Sequence, residues 1–155
     1  LVTINYYDIY KVIQIDESVL KSFGSGIYVE VGEEISIKDL LFGLMLRSGN
    51  DASYTIAKNT FDSVDKFVEN MNTFAQKLKM KNTIFNNPNG LDEEKGNFST
   101  AYDMALIMNY ALKNNEFRKI NQTISYSPTI YSNSKLYFFN KHKLIRPHKR
   151  SNIQL

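Results

Sequence analysis

Seven consecutive residues, Leu40-Leu41-Phe42-Gly43-Leu44-Met45-Leu46, carry six apolar side chains around one glycine. The run is far shorter than the ~18 residues a bilayer span needs. Ser36 with Asp39 three residues later is a capping-box variant, which predicts a helix opening at Ser36. Ile37, Leu40, Leu41, Leu44 and Met45 form its apolar side. That stripe is wide enough to predict burial over most of the helix circumference. Ser48-Gly49-Asn50 follows, and a second helical stretch with Ala52, Ile56 and Ala57 begins at Asp51. Gly49 is read as the residue that ends the first helix, and Asn50 or Asp51 as the cap of the second. Two polar side chains, Ser48 and Asn50, are thereby held at the junction of two buried helices.

The rest of the chain reads as mainly helical with a few short strands. Residues 1–15 are rich in β-branched and aromatic types, predicting a strand or extended entry whose first residues could end a helix. Ser22 to Gly26 reads as a loop. Ile27, Val29 and Val31 alternate with Tyr28 and Glu30, predicting a short strand that Gly32 terminates. Beyond Asp62, the residues Val64, Phe67, Val68, Met71, Ala75 and Leu78 recur at spacings of three and four, the clearest amphipathic helix of the chain. Asn87-Pro88-Asn89-Gly90 is a strong turn signal. Thr100 and Asp103 again resemble a capping box, before a helix expected to bury Ala101, Met104, Ala105, Met108 and Leu112. Asn114-Asn115 closes it, and Phe117 and Ile120 predict a short further turn. Lys135 to Phe139 reads as a strand.

At 155 residues with 43% apolar and 13% aromatic side chains, the chain suits one folded domain. No repeat and no dividing linker is visible. A net charge of +3 is too small to imply nucleic acid. Lys141, Lys143, Arg146, Lys149 and Arg150, with His142 and His148, do crowd the end, but no nucleic-acid motif accompanies them. The absence of cysteine excludes disulfides, thiolate metal sites and a cysteine nucleophile. Two histidines separated by five residues make a poor metal site, so neither metal nor cofactor is expected.

A serine-based acyl-transfer site needs a nucleophile, a base and donors for the oxyanion. Alone, Ser48-Gly49-Asn50 is met as simply by a turn between helices. Four separated stretches narrow the choice: Gly24-Ser25-Gly26-Ile27-Tyr28 running to Gly32-Glu33; Leu40 through Ala52; Asn87-Pro88-Asn89-Gly90-Leu91-Asp92; and Ser99-Thr100-Ala101-Tyr102-Asp103-Met104-Ala105. With Phe117-Arg118-Lys119-Ile120 and Asn140-Lys141-His142-Lys143-Leu144, this ordered set resembles the low-molecular-mass penicillin-binding D-alanyl-D-alanine carboxypeptidases.

The resemblance implies a β-lactamase/transpeptidase-like α+β fold, in which a helical cluster packs beside an antiparallel sheet with the site in the cleft between them. This chain is expected to hold the helical cluster and an incomplete sheet, over residues 1–145, followed by an atypical basic tail, 146–155. The family removes the terminal D-alanine of peptidoglycan stem peptides through an acyl-serine intermediate and is acylated by β-lactams. Its motifs are Ser-x-x-Lys, Ser-x-Asn and Lys-Thr-Gly. Only the middle one maps here, onto Ser48 as proton relay and Asn50 as the amide that holds a lysine and the substrate carbonyl. Lys141 matches a position near the substrate carboxylate. The first motif is expected before Leu1 and the third beyond the Leu144 region, so the chain alone is expected to be an incomplete catalyst. Ser18-Val19-Leu20-Lys21 matches Ser-x-x-Lys literally but lies too close to Gly24 and reads as a turn or helix start. Asn89 and Asn97 stand where the family often carries histidines.

Family members act outside the cytoplasmic membrane, which makes an extracytoplasmic location the expectation. An exposed core face is expected to favour self-association. Two other classes compete: a non-catalytic module binding cell-wall peptide or a partner, and a class A β-lactamase-like hydrolase. The last would need a deacylating glutamate, and Glu93, Glu94 and Glu116 sit in no motif of that kind.

Overall fold

The computed structural model describes residues 1–91, 95–129, 136–142 and 145. Within them the order of elements is α1 (Val2–Tyr6), β1 (Val12–Gln14), a single 3-10 turn (Glu17–Lys21), β2 (Glu34–Ser36), α2 (Ile37–Arg47), α3 (Asn50–Thr60), α4 (Val64–Lys77), α5 (Ala101–Ala111), α6 (Asn115–Gln122), β3 (Ser125–Tyr126) and β4 (Phe138–Phe139). The fold is mainly helical. Its strands form two antiparallel pairs, β1 with β2 and β3 with β4.

Helix α2 is the centre of the core, as its wide apolar stripe predicts. Ile37, Leu40, Leu41, Phe42 and Leu46 are all buried. Met45 is a correction, because it faces outward and is 40% exposed. Ser36 caps the helix by accepting from the Asp39 amide at 3.0 Å, and its hydroxyl donates to the Asp39 carboxylate at 2.6 Å. The other Asp39 oxygen accepts from the Tyr126 hydroxyl. The Tyr126 ring stacks on Phe42, with centroids 3.7 Å apart. Gly43 lets Phe138 and Ile27 pack closely on α2, since a Cβ there would lie 3.3 Å from Phe138 and 2.8 Å from Ile27. These contacts seat the β3–β4 pair on α2 and so fix the segment that follows β4.

Helix α3 packs against α2 and buries Ala52, Ile56 and Ala57, while α4 packs against α3 and α1 and buries Phe67, Phe74 and Ala75. Three expectations fail here for physical reasons. The stretch 27–31 keeps alternating burial at Ile27, Tyr28 and Val29, but forms no strand. The amides of Ile27 and Tyr28 are taken by a side-chain carboxylate, and Tyr28 adopts a left-handed backbone with φ 61°. A backbone so engaged has no free ladder to offer.

Second, α5 exposes the face expected to be buried. Ala101, Met104, Ala105, Met108 and Leu112 are exposed, while Asp103 and Ala111 face inward. Asp103 is drawn in because its carboxylate accepts from the Asn82 amide and the Thr83 hydroxyl, both at 2.8 Å. Third, the turn foreseen around Phe117 is an eight-residue helix, α6, capped by Asn114. Lys135, Lys143 and the tail 146–155 lie outside the described residues.

Candidate functional site

The junction of α2 and α3 has a tighter design than a glycine-ended helix. Ser48, not Gly49, takes the left-handed position that closes α2, with φ 58° and ψ 46°. Gly49 is the N-cap of α3 at φ −73°, and Asn50 is already helical. The glycine is needed for a close approach instead. A Cβ at Gly49 would lie 2.9 Å from the Asp51 carboxylate and 2.9 Å from the Ile27 side chain.

Asp51 is the residue that sequence reasoning missed. Its carboxylate is buried and accepts from the amides of Ile27 (2.9 and 3.0 Å), Tyr28 (2.8 Å) and Ala52 (2.8 Å). A Cβ at Gly26 would also come within 2.9 Å of it. The carboxylate thus sits in a slot walled by two glycines. It pins the loop 24–28 onto the start of α3, with backbone amides meeting the negative charge in place of a cation. The Gly-Ser-Gly spacing and the aspartate after Ser-Gly-Asn were the only signals for this clamp, and the Ile27 amide lies 24 residues from the aspartate that holds it.

Asn50 completes the same attachment. Its backbone amide donates to the Ser25 carbonyl at 2.8 Å, and its side-chain Nδ2 donates to the Phe23 carbonyl at 2.6 Å. The residue is 6% exposed. One of its two side-chain N–H donors is therefore committed to the loop. Ser48, by contrast, is exposed. The junction divides its two polar side chains: Ser48 stands on the surface, and Asn50 is buried as the joint between junction and loop.

Lys141 joins the assembly from the other side. Asn140 is buried, donating its amide to the Ile124 carbonyl at 2.8 Å and its side-chain Nδ2 to the Thr123 carbonyl at 3.0 Å. The Lys141 amide then donates to the Leu46 carbonyl at 2.9 Å, satisfying one of the orphan carbonyls at the end of α2. Its ammonium donates to the Ser25 hydroxyl at 3.0 Å. Ser48, Asn50 and Lys141 therefore belong to one assembly built from the α2–α3 junction, the loop 22–28 and the segment after β4, with Asn50 as its buried joint.

The remaining candidates fall elsewhere. Ser18 lies in the 3-10 turn, where its amide donates to the capping Asp16 carboxylate at 2.8 Å. Lys58 pairs with the same aspartate at 2.6 Å. Asn89 and Asn97 take part in local hydrogen bonding around the turn 86–91. Asn97 accepts from the amides of Asn86 and Asn87, and Asn89 accepts from the Leu91 amide. Ser53 of α3 fastens that turn by donating to the Pro88 carbonyl at 2.6 Å. Glu116 faces Lys38 at 3.8 Å, and Glu93 and Glu94 are outside the described residues. Among the described residues no cluster of His, Asp or Glu has a metal-binding arrangement, and no helix is long and apolar enough to cross a membrane.

Folds of this kind are those of the serine-type DD-peptidases that penicillin acylates. A D-alanyl-D-alanine carboxypeptidase from Mycobacterium tuberculosis H37Rv superposes with a TM-score of 0.87 at 28% identity, over 96% of this chain and 56% of that one. The Streptomyces K15 DD-transpeptidase superposes with a TM-score of 0.82 at 27% identity, over 92% of this chain and 60% of that one. In sequence, the carboxypeptidase DacF of Bacillus subtilis is 40% identical over 123 residues, 79% of this chain and 31% of that protein. The sequence profile of the D-alanyl-D-alanine carboxypeptidase peptidase family matches residues 5–155. This chain belongs to that family, and it spans about a third of the length of the Bacillus relative.

Proposed function

We propose that this chain supplies the Ser-x-Asn wall of the cleft of a serine-type D-Ala-D-Ala carboxypeptidase. The substrate class is the peptidoglycan stem peptide, and β-lactams enter the same cleft. In that reaction a serine oxygen attacks the carbonyl of the penultimate D-alanine, the terminal D-alanine leaves, and water hydrolyses the ester. The observation that carries the reading is Ser48: an exposed serine held in a left-handed conformation between two buried helices. A hydroxyl so placed can pass a proton between a catalytic base and the leaving amine. Asn50 holds the loop 22–28 at the correct height, and Lys141 offers a positive charge to the substrate carboxylate. The reading places the protein in the cell envelope, where its substrate is.

The same reading makes the 155-residue polypeptide a binding wall without a nucleophile. We read Ser18 as a turn residue, in keeping with its place in the 3-10 turn that Asp16 caps. Losing the nucleophile removes the covalent route altogether. The expected result of incubation with a labelled penicillin is therefore an unchanged intact mass, and a covalent adduct would refute it. Titration with diacetyl-L-lysyl-D-alanyl-D-alanine tests the wall itself. Binding that weakens in Ser48→Ala and Asn50→Ala supports the reading, and no binding by the wild type overturns it.

A further inference from the structure

Of all the asparagines in the sequence, only Asn89 is followed by glycine. It lies in the turn 86–91, and hydrogen bonds fix the atoms on both sides of the peptide that joins it to Gly90. The Asn89 side-chain carbonyl accepts from the Leu91 amide at 3.0 Å, which folds the side chain back along the intervening peptide. The Gly90 amide donates to Asn87 Oδ1 at 2.7 Å. Asn87 is buried and held in its turn: its Nδ2 donates to the Leu91 carbonyl at 2.8 Å, and its Oδ1 also accepts from the Asn97 side chain at 3.3 Å. Gly90 is exposed, with a left-handed backbone at φ 80°. No atom stands within 4 Å of where its Cβ would be, so the approach to its nitrogen is open on that side.

We propose that Asn89 is a site of self-modification: the Gly90 backbone nitrogen attacks the Asn89 side-chain carbonyl carbon, and the turn converts this asparagine into aspartate and isoaspartate. In the first step a bond forms between the Gly90 nitrogen and Asn89 Cγ, and the nitrogen gives up its proton to hydroxide or a buffer base. The Cγ–NH2 bond breaks, and the amide nitrogen takes a proton from water and leaves as ammonia. Water then opens the resulting cyclic imide at either carbonyl, to aspartate or to isoaspartate; nothing is oxidised or reduced. The Leu91 N–H already points at the oxygen that becomes negative in the tetrahedral intermediate, at the distance an oxyanion donor needs. Asn87 is a positioning residue. Its amide oxygen is too weak a base to take the proton, but it orients the Gly90 nitrogen, and orientation of this kind shortens the way to the attacking geometry. Asn89 lines a cavity with Ser22 and Phe23 of the loop 22–28 and with Tyr54 and Lys58 of α3. The reaction therefore adds a negative charge to the wall that Lys58 shares. Isoaspartate also lengthens the backbone of the turn that Ser53 fastens through the Pro88 carbonyl.

The test incubates the 155-residue chain in mildly alkaline buffer and follows each asparagine by peptide mapping and mass spectrometry, with isoaspartate counted by enzymatic methylation. Position 89 should gain the amide-to-acid mass increment before any other asparagine. It should do so about tenfold faster in the folded chain than in the same chain held unfolded in urea, because the turn supplies the orientation. The rate should rise with pH, since attack requires loss of the Gly90 proton. Asn89→Gln, whose longer side chain would have to close a larger ring, should leave the position unmodified. Asn87→Ala should slow the reaction by about three- to tenfold, the scale of one hydrogen bond. A folded-state rate equal to or below the rate in urea overturns the inference, as does an earlier reaction at another asparagine. So does an unchanged rate in a folded Asn87→Ala variant. Should that variant not fold, the comparison of folded with unfolded wild type decides alone.

Discussion

Removal of the Asp51 carboxylate should be the most damaging single change at the junction. In Asp51→Ala the Ile27 amide loses its side-chain acceptor in a residue only 3% exposed. An unsatisfied buried donor of this kind costs about 1–3 kcal/mol. Tyr28 is largely exposed, so water can replace the carboxylate at its amide and the loss there is small. The Ala52 amide is one of the orphan donors at the start of α3, and an acidic group in a first turn contributes about 0.3–1 kcal/mol through the helix dipole. A buried carboxylate also carries a desolvation penalty that the alanine relieves in part. The balance is a loss of about 2–3 kcal/mol of folding stability. Urea denaturation should show a lower midpoint at an unchanged slope. Hydrogen exchange at the Ile27 and Tyr28 amides should accelerate well beyond the global change, because the loop 24–28 is released before the helices are. A stability change under about 0.5 kcal/mol, within the range of ordinary surface substitutions, would refute the argument. So would exchange at Ile27 that merely follows global unfolding.

Gly49→Ala is expected to destabilise by about 1–3 kcal/mol through overpacking, although φ −73° suits alanine, because its Cβ would press on both Asp51 and Ile27; calorimetric melting decides this, and a rise in melting temperature would show that the slot has room. The Asp16–Lys58 pair gives a pH signature. The Lys58 ammonium, together with the Ser18 hydroxyl and amide, lowers the Asp16 carboxyl from its ordinary 3.8 to about 2. A depressed folded value means stability that is present above the ordinary value and is lost as pH falls through the lowered one. Both side chains are about half exposed, which limits the contribution to about 1 kcal/mol or less. Asp16→Asn should therefore be less stable than wild type near neutrality, with the difference closing between roughly pH 4 and pH 2; a difference independent of pH over that window would exclude this origin.

The parts of the fold legible in the sequence are those whose cause is local. Ser36 caps α2, and the apolar stripes of α2 and α4 select the buried faces because three- and four-residue spacing repeats along them. Helix α5 was misread because apolar residues surround most of it. Periodicity then has no face to select, and the choice fell to Asp103, whose partners Asn82 and Thr83 are some twenty residues away. The same contrast runs through the site. Ser48 and Asn50 were visible as a pattern, but their division into a surface group and a buried joint was not. That division depends on Phe23 and Ser25 accepting hydrogen bonds from Asn50 across a long loop. Strand pairing fails at residues 27–31 for a related reason: the alternation holds for the buried Ile27 and Val29 but not for the exposed Val31, and the amides of Ile27 and Tyr28 are held by Asp51.

The placement of Ser48 in the left-handed region, beside a glycine that does not use it, links structure to the proposed role. A non-glycine residue there costs roughly 1–2 kcal/mol, and glycine one position earlier would remove that strain. The sequence instead uses its glycine at position 49, where Asp51 and Ile27 leave no space for a Cβ, and leaves the strain on the serine. Strain retained at an exposed hydroxyl is what a functional site, rather than a stability optimum, would keep. Ser48→Gly should therefore fold as well as or better than wild type. Relief of the backbone strain exceeds glycine's own entropic cost of about 0.5–1 kcal/mol, for a net gain of up to about 1 kcal/mol. The same variant should bind the D-Ala-D-Ala peptide less well than wild type. Chemical denaturation and the peptide titration, run on one preparation, separate the two effects. A variant that is less stable would mean that the Ser48 side chain has a structural task at the junction, and the argument from strain to function would fail.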